Sequence, residues 1–188
     1  NSLGCAKVLT NAYSVPLKAG TQVQAKIYAS TVELWHDGHC VARHERCYRR
    51  QQQVLELEHY LDVLHRKPGA MAGSRPLEQQ RQAGLWPESF DAIWQALMER
   101  HGKQSGTKQM IELLQMARPN GRERLQQAIE TALASGCTDA AAVQHLFHAR
   151  ELNHTACEAI NIGSLARYQR PMPVMNEYDR LLAAGGAR

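Results

Sequence analysis

The chain has 188 residues, of which 44% are hydrophobic and 21% are charged, and its formal net charge at pH 7 is +4. This composition supplies enough apolar side chains for one or two domains with buried cores and excludes a chain that is disordered throughout. No apolar run has the length of a membrane span, and residues 1–8 lack the charged-then-apolar layout of a signal peptide, so we expect a cytoplasmic protein.

The positive charge is concentrated near the N-terminus. Residues 1–50 contain seven Lys and Arg against three acids, whereas residues 51–188 contain fifteen of each. This bias predicts a segment that faces a polyanion, joined to a neutral segment. The five cysteines are scattered and form no CxxC pair, which favours free thiols in a reducing compartment.

Residues 8–45 have the pattern of β-strands. In TQVQAKIYA, Val23, Ala25 and Ile27 alternate with polar residues, which is typical of a strand with one buried face. So few strands bury little surface. We therefore expect residues 1–50 to be either a very small basic β-barrel or the end of a larger domain, of which they form only a part of the barrel, and we favour the second.

A hairpin is predicted where Asp37-Gly38 separates TVELWH from HCVARHE, because this pair is preferred in tight two-residue turns. Such a turn places Leu34 opposite Val41, Trp35 opposite Cys40, and Val32 opposite Arg43. On this register, Val32, Leu34 and Val41 share one face of the hairpin.

From residue 51 onward the apolar spacing predicts helices. The first is predicted over residues 52–66 by the apolar positions Val54, Leu57, Leu61 and Leu64. Pro68 disfavours the helical conformation of the residue before it, so this helix should end near Arg66. Residues 67–76, KPGAMAGSRP, are expected to be a flexible joint, so that residues 51–76 form a connecting helix and linker.

Four further helices are predicted within an all-α domain that spans residues 77–150, so the fold class predicted for the chain is α+β by segment. They are expected to run from Pro87 to Gly102, from Thr107 to Pro119, from Arg122 to Ser135, and from a cap at Thr138 or Asp139 onward. Residues 151–188 are predicted to be a flexible C-terminal tail. Within the tail, EYDRLL places Tyr178, Leu181 and Leu182 on a short apolar face, which either packs on its own domain or binds another protein.

The sequence contains none of the common motifs that carry chemistry. GxxxxGK[ST], GxSxG, HExxH and GxGxxG are all absent, and the carboxylates fit solvated turns and helix faces, so no catalytic residue is predicted. Possible zinc ligands are grouped around the hairpin turn: His36, His39, Cys40, His44 and Cys47. The turn directs histidines and cysteines of this group to opposite faces, so four ligands cannot converge and no zinc site is predicted.

The stretch ARHERCYRR, residues 42–50, is the candidate binding site. Its cations are Arg43, Arg46, Arg49 and Arg50. Guanidinium groups suit phosphate oxygens, and several in one stretch bind DNA mainly by releasing counterions, with little reading of sequence. The alternative is a solvated basic edge that discourages strand-to-strand aggregation.

Arg66 and Lys67 form a second, smaller basic site at the predicted end of the connecting helix. Cations in a last turn stabilise the helix dipole by about 0.3–1 kcal/mol each, which is a sufficient structural reason for them. They are also predicted to contact a second stretch of DNA phosphate. The two roles are compatible.

Five stretches together resemble a known family: NAYSVP (11–16), TVELWHDGHCVARHER (31–46), EHYLDVLHRKPGA (58–70), KQMIELLQMAR (108–118) and EYDRLL (177–182). Their sequence and order resemble the C-terminal part of IstA-type bacterial insertion-sequence transposases. These are relatives of the phage Mu transposase and work with an ATPase partner, IstB.

The resemblance implies DNA-binding domains, an RNase H-like core with three metal-binding carboxylates, a small Mu-type β-barrel and a helical C-terminal domain. This chain would start inside the barrel, in a bacterial cytoplasmic protein, and NSLGCAKVLT lacks the leading strands of that barrel. The segment would then be non-catalytic and hold no cofactor, with the divalent metal expected only in the missing core.

The partners implied by the resemblance are duplex DNA at or beside transposon ends, an IstB-type AAA+ ATPase and other transposase copies. The basic barrel would lie along DNA, and the helical domain would support assembly of the transposase on paired ends. Tyr178, Leu181 and Leu182 would dock on the ATPase. The alternative is a protein-interaction module that binds the ATPase or another copy and has little contact with DNA.

Overall fold

The computed structural model describes residues 4–152, in which β-strands precede helices. The strands are β1 (Cys5–Val8), β2 (Asn11–Ser14), β3 (Gln24–Ile27), β4 (Thr31–His36), β5 (His39–Glu45) and β6 (Gln53–Val54). They form two three-stranded sheets with the orders β1-β2-β6 and β3-β4-β5, and neither sheet closes into a barrel within the described residues. The α+β class predicted from the sequence is confirmed, and the β part consists of two open sheets.

The hairpin of β4 and β5 turns at Asp37-Gly38 as predicted, but its register changes part-way. Trp35 lies opposite Cys40, as expected, whereas Leu34 lies opposite Ala42. Val41 is therefore an extra residue, a β-bulge, and the predicted pairing of Leu34 with Val41 is wrong.

The bulge decides which side chains of β5 face the interior. Beyond it, Val32 lies opposite His44 rather than opposite Arg43. Because successive side chains of a strand alternate between faces, the shift turns Ala42 and His44 inward, where both are buried, and leaves Arg43 exposed.

Strand β3 does not have the buried face that its alternation predicted. All four of its residues are exposed, and Ile27 is 42% exposed. β3 lies at the edge of its sheet, and the small core between the sheets draws its buried residues from other parts of the chain. These residues are Val8, Tyr13, Val15, Val32, Leu34 and Ala42.

The connecting helix predicted over residues 52–66 is present only in its second half. A 3₁₀ turn spans Leu57–Tyr60, and helix α1 spans Leu61–Arg66, ending as predicted before Pro68. The first part of the predicted helix contains strand β6 instead, because tertiary hydrogen bonds override its helix propensity. The Gln79 side chain accepts from the Leu55 backbone N–H and donates to the Gln53 carbonyl.

The segment predicted to be a flexible joint, residues 67–76, contains local structure. Pro68–Ala70 form a 3₁₀ turn, Met71 is fully buried in the helical core, and helix α2 begins at Arg75 and ends at Gln82. Most of the segment's other residues are exposed, and its flexibility stays a prediction.

The remaining helices are α3 (Glu88–His101), α4 (Lys103–Ala117), α5 (Arg122–Ala134) and α6 (Ala140–Leu152). Their positions agree with the predictions, except that α4 begins at Lys103 rather than at Thr107. Thr107 is not a cap: its hydroxyl donates to the Lys103 carbonyl one turn back and accepts from the Trp94 indole. The cap of α6 is Asp139, whose carboxylate accepts from the Ala141 amide.

Helices α3 and α4 approach each other closely at Gly106. A Cβ atom at this position would lie 2.4 Å from the Leu97 carbonyl oxygen, so only glycine fits. The helices share one core that extends from Leu57 to Phe147, and the described residues belong to one compact unit, Asn1–Asn153. The boundaries of the four segments proposed from the sequence stay predictions. No helix among the described residues is long and apolar enough to cross a bilayer.

The tail residues from 153 onward lie outside the described part of the chain. The predicted docking residues Tyr178, Leu181 and Leu182 are among them. Their role stays a prediction.

Candidate nucleic-acid interface

The loop between β5 and β6, residues 46–52, is held at both ends by the buried side chain of Asn11. The side-chain Nδ2 of Asn11 donates to the backbone carbonyl of Cys47 at 2.7 Å. The side-chain Oδ1 of Asn11 accepts from the backbone N–H of Gln52 at 3.0 Å. Asn11 is only 5% exposed. One side chain therefore sets the spacing of the two loop ends, and we call residues 46–52 the arginine loop.

Further hydrogen bonds attach the two ends of the arginine loop to β2. The Cys47 amide donates to the Tyr13 hydroxyl at 3.0 Å, and the Ala12 amide donates to the Gln52 carbonyl at 2.9 Å. Gln51 has a φ of 57°, in the left-handed region that non-glycine residues seldom adopt. This conformation is consistent with a loop whose path is fixed by its surroundings.

The start of the arginine loop is also attached to the turn between β3 and β4. The Arg46 amide donates to the Ser30 carbonyl at 2.8 Å, and its guanidinium donates to the Tyr28 carbonyl at 2.9 Å. The Tyr48 hydroxyl donates to the Ala29 carbonyl. Arg46 thus has a structural role, because its guanidinium is engaged with the backbone of a neighbouring turn.

The other predicted arginines differ in whether a nearby acid offsets their charge. Arg43 is 68% exposed, but its Nε lies 3.7 Å from the Glu33 carboxylate, which pairs across the strands with both Arg43 and Lys26. Arg49 and Arg50 are exposed, and neither forms an ion pair with any residue that the structure describes. Their charge is the part of the predicted site that is available to a polyanion.

Arg66 and Lys67 are exposed at the end of α1. The Lys67 amide donates to the carbonyls of Val63 and Leu64, which closes the helix. In the part of the chain that the structure describes, no hydrogen bond or ion pair connects these two side chains with the arginine loop. They form a separate basic spot, and whether it reaches DNA stays a prediction.

A partly buried polar cluster lies at the C-terminal end of β5, in which the Glu56 side chain is 43% exposed. His59 Nδ1 lies 2.7 Å from the Ser14 hydroxyl, and its Nε2 lies 3.2 Å from the Glu56 carboxylate. The same carboxylate is 3.2 Å from Nδ1 of His44, although that contact is not aligned for a hydrogen bond. His44 Nε2 is 2.7 Å from the Ser14 carbonyl oxygen. The cluster joins β2 and β5 to the segment that leads into the helices.

Burial and neighbouring charges shift the ionisation of this cluster. Burial lowers the pKa of His59, and the charges of His44 and Arg118 lower it further, against the opposing effect of Glu56. Burial alone would raise the pKa of Glu56, but its interactions with His44 and His59 outweigh burial and leave that pKa below its ordinary value. Ser14 is fully buried, and its hydroxyl also accepts from the Glu56 backbone N–H at 3.0 Å. Among the described residues, no group of three His, Cys, Asp or Glu side chains is placed to hold a metal ion.

Comparison with known proteins gives a consistent result. Residues 1–56 match the family described as Mu transposase, C-terminal domain. A transposase of Aminobacter aminovorans is 28% identical over 144 residues, which cover 73% of this chain and 27% of that protein. The transposase for insertion sequences IS1326/IS1353 of Pseudomonas aeruginosa is 30% identical over 132 residues, covering 67% of this chain and 24% of that protein.

The chain is a relative of insertion-sequence transposases. The counterpart of the IS1326/IS1353 protein in Shigella flexneri matches equally well, at 30% identity over 132 residues. The chain spans about a quarter of the length of these curated relatives. No solved structure matches it. The transposase kinship inferred from the sequence is confirmed, while the specific link to IstA and IstB stays a prediction.

Two of the residues that shape the interface were missed at the sequence level. Asn11 opens NAYSVP, a stretch that carried the family resemblance, but its role depends on loop ends that lie 36 and 41 positions away. Tyr48 stands between the arginines of ARHERCYRR, and an aromatic residue interleaved with cations is a pattern that could have indicated it.

We expect Asn11→Ala to destabilise the protein by about 1–3 kcal/mol, because it leaves two part-buried backbone groups without partners. The free energy of unfolding, from urea titration, measures this loss. The exposed Asn120 provides a control, since Asn120→Ala should have little effect. Equal stabilities of the two variants would show that Asn11 does not hold the arginine loop.

We expect acidification to weaken the fold through His59. Since its pKa in the folded state lies below the ordinary 6.5, the unfolded chain binds the proton more readily, and stability falls as the pH drops below about 6.5. Urea unfolding at about pH 7.5 and about pH 5.5 should show a smaller loss for His59→Gln than for the wild type. The exposed His101 provides the control, because His101→Gln should leave the wild-type loss unchanged. Equal losses in the wild type and His59→Gln contradict this account.

Proposed function

We propose that this chain is a non-catalytic part of a DDE-type transposase and that it binds the backbone of duplex DNA through the arginine loop. The observation that carries the proposal is that Arg49 and Arg50 are exposed and form no ion pair within residues 4–152, on a loop whose ends are held by hydrogen bonds. Kinship with transposases makes DNA the polyanion that this surface would meet. Any divalent metal used in transposition would belong to a catalytic core elsewhere in the full-length protein.

The electrostatics favour contact with the backbone over reading of bases. Guanidinium groups bind phosphate oxygens with charge-assisted hydrogen bonds, and each neutralised phosphate releases condensed counterions. Because hydrogen bonds hold the ends of the arginine loop, the loop loses less conformational entropy when it binds DNA. Arg43 would contribute less, since Glu33 already offsets part of its charge. Arg66 and Lys67 would supply a second, weaker contact with phosphate.

We further propose that the helical part and the tail support assembly of the transposase and recruitment of an IstB-type AAA+ ATPase. Support comes from the sequence of the tail, in which the spacing of Tyr178, Leu181 and Leu182 would place them on one face of a short helix. Other copies of the transposase are the second kind of partner. A chain that only binds these proteins, with little contact to DNA, is the competing function.

We expect Arg49→Glu with Arg50→Glu to weaken binding to duplex DNA by at least tenfold, because the change replaces attraction to phosphate with repulsion. Fluorescence anisotropy with labelled duplex at one fixed salt concentration measures the loss. The same double charge reversal at Lys103 and Lys108, both exposed on α4, is the matched control and should have a much smaller effect.

Reversal of Arg66 and Lys67 in the same assay tests the second basic spot, and an intermediate loss is expected. If the arginine-loop variant binds as well as the Lys103 and Lys108 variant, the arginine loop is not the interface. If the wild-type chain does not bind duplex DNA at all, the protein-interaction function is favoured instead.

We expect deletion of residues 165–188 to abolish capture of an IstB-type ATPase while leaving the affinity for DNA unchanged. A pull-down with purified ATPase, alongside the anisotropy assay, measures both properties. Tyr178→Ala with Leu181→Ala in the full chain should reproduce the loss, since these side chains would supply the apolar contact. Retention of the ATPase by the deleted chain would remove the tail from the proposed mechanism.

A further inference from the structure

Tyr48 is an exposed aromatic side chain that is nevertheless held in place. It is 71% exposed, and its hydroxyl donates to the Ala29 carbonyl on the neighbouring turn. The Arg46 guanidinium carbon lies 4.7 Å from the centre of the Tyr48 ring. One face of the ring is thus covered by a cation, and the exposure of the side chain leaves the other side accessible to solvent.

The surroundings of Tyr48 are cationic and aromatic. Arg49 and Arg50 follow directly in the chain, and both are exposed. Tyr28, whose carbonyl accepts from Arg46, is 48% exposed. Such a combination of exposed rings and guanidinium groups is the composition of surfaces on which nucleotide bases stack, since every base has a π-face that an aromatic ring can meet.

Contact with the duplex backbone accounts for the arginines but not for an exposed tyrosine ring. Phosphate binding needs positive charge and hydrogen-bond donors. The Tyr48 hydroxyl is already used on the Ala29 carbonyl, and what remains available is the flat apolar ring. A tyrosine that served only to anchor the loop would have no need to leave most of its surface in water.

We propose that Tyr48, supported by Arg46, stacks on an unpaired DNA base, so that the arginine loop binds duplex DNA carrying locally unpaired nucleotides in preference to fully paired duplex. This inference rests on the proposed function, because Arg49 and Arg50 must first hold the adjacent phosphates. Arg46 fixes the ring by covering its inner face, and the base would occupy the solvent side. The ring tolerates any base, so the preference is for the unpaired state and not for a sequence.

The test compares two probes with the full 188-residue chain: a labelled blunt duplex, and the same duplex with a short internal stretch of mismatched bases. The wild type should bind the mismatched probe more tightly. Tyr48→Ala should weaken binding to the mismatched probe by about 5- to 150-fold and leave binding to the blunt duplex nearly unchanged. Tyr48→Phe retains the ring and should retain most of the preference.

Thermal melting by circular dichroism checks the fold of each variant. If Tyr48→Ala unfolds, Tyr48→Leu replaces it, because leucine keeps the apolar bulk without a π-face. Loss of the preference in both non-aromatic variants, with retention in Tyr48→Phe, supports stacking. Equal binding of both probes by the wild type, or loss of the preference in Tyr48→Phe as in Tyr48→Ala, overturns the inference while leaving the proposed function intact. Failure of the wild type to bind either probe overturns the proposed function itself.

Discussion

Asn11 is the residue on which the proposed interface depends, because one buried amide side chain satisfies a carbonyl at one end of the arginine loop and an amide at the other. A buried amide is costly unless its hydrogen bonds are made, and here they are made only when the ends of the loop have the correct spacing. The stability of the core is thereby coupled to the geometry of a surface loop. The exposed arginines that follow are held on a fixed support.

The arginines of the sequence motif separate into distinct roles once their surroundings are known. Arg46 is bound to a backbone carbonyl and covers the Tyr48 ring, and Arg43 is partly neutralised by Glu33. Arg49 and Arg50 are exposed and have no ion-pair partner in the part of the chain that the structure describes. Charge counting alone treats all of them as equal. Hydrogen-bond partners and nearby acids decide which cations can exchange water and counterions for phosphate.

Helices with a clear apolar period, such as α3 and α5, could be predicted from the sequence because their own side chains specify them. The misses occurred where distant residues decide the conformation. The Val41 bulge turns His44 inward, and the Gln79 side chain binds the backbone of Gln53 and Leu55, where the sequence predicts a helix. Met71 is buried in the core although its stretch has the composition of a linker. The basic stretch was visible as composition. The two contacts of Asn11 with the loop ends and those of Ser14 with Glu56 and His59 were not, since no local pattern records contacts that span 36 to 45 positions.

The most direct test of the central claim is the salt dependence of wild-type affinity for duplex DNA. If exposed guanidinium groups bind phosphates by releasing counterions, the logarithm of the association constant should fall linearly with the logarithm of salt concentration. Two phosphate contacts by Arg49 and Arg50 predict a slope of about −2, and additional contacts make it steeper. A slope near zero, with binding still present, would show that the interaction does not depend on the phosphate backbone and would contradict the account.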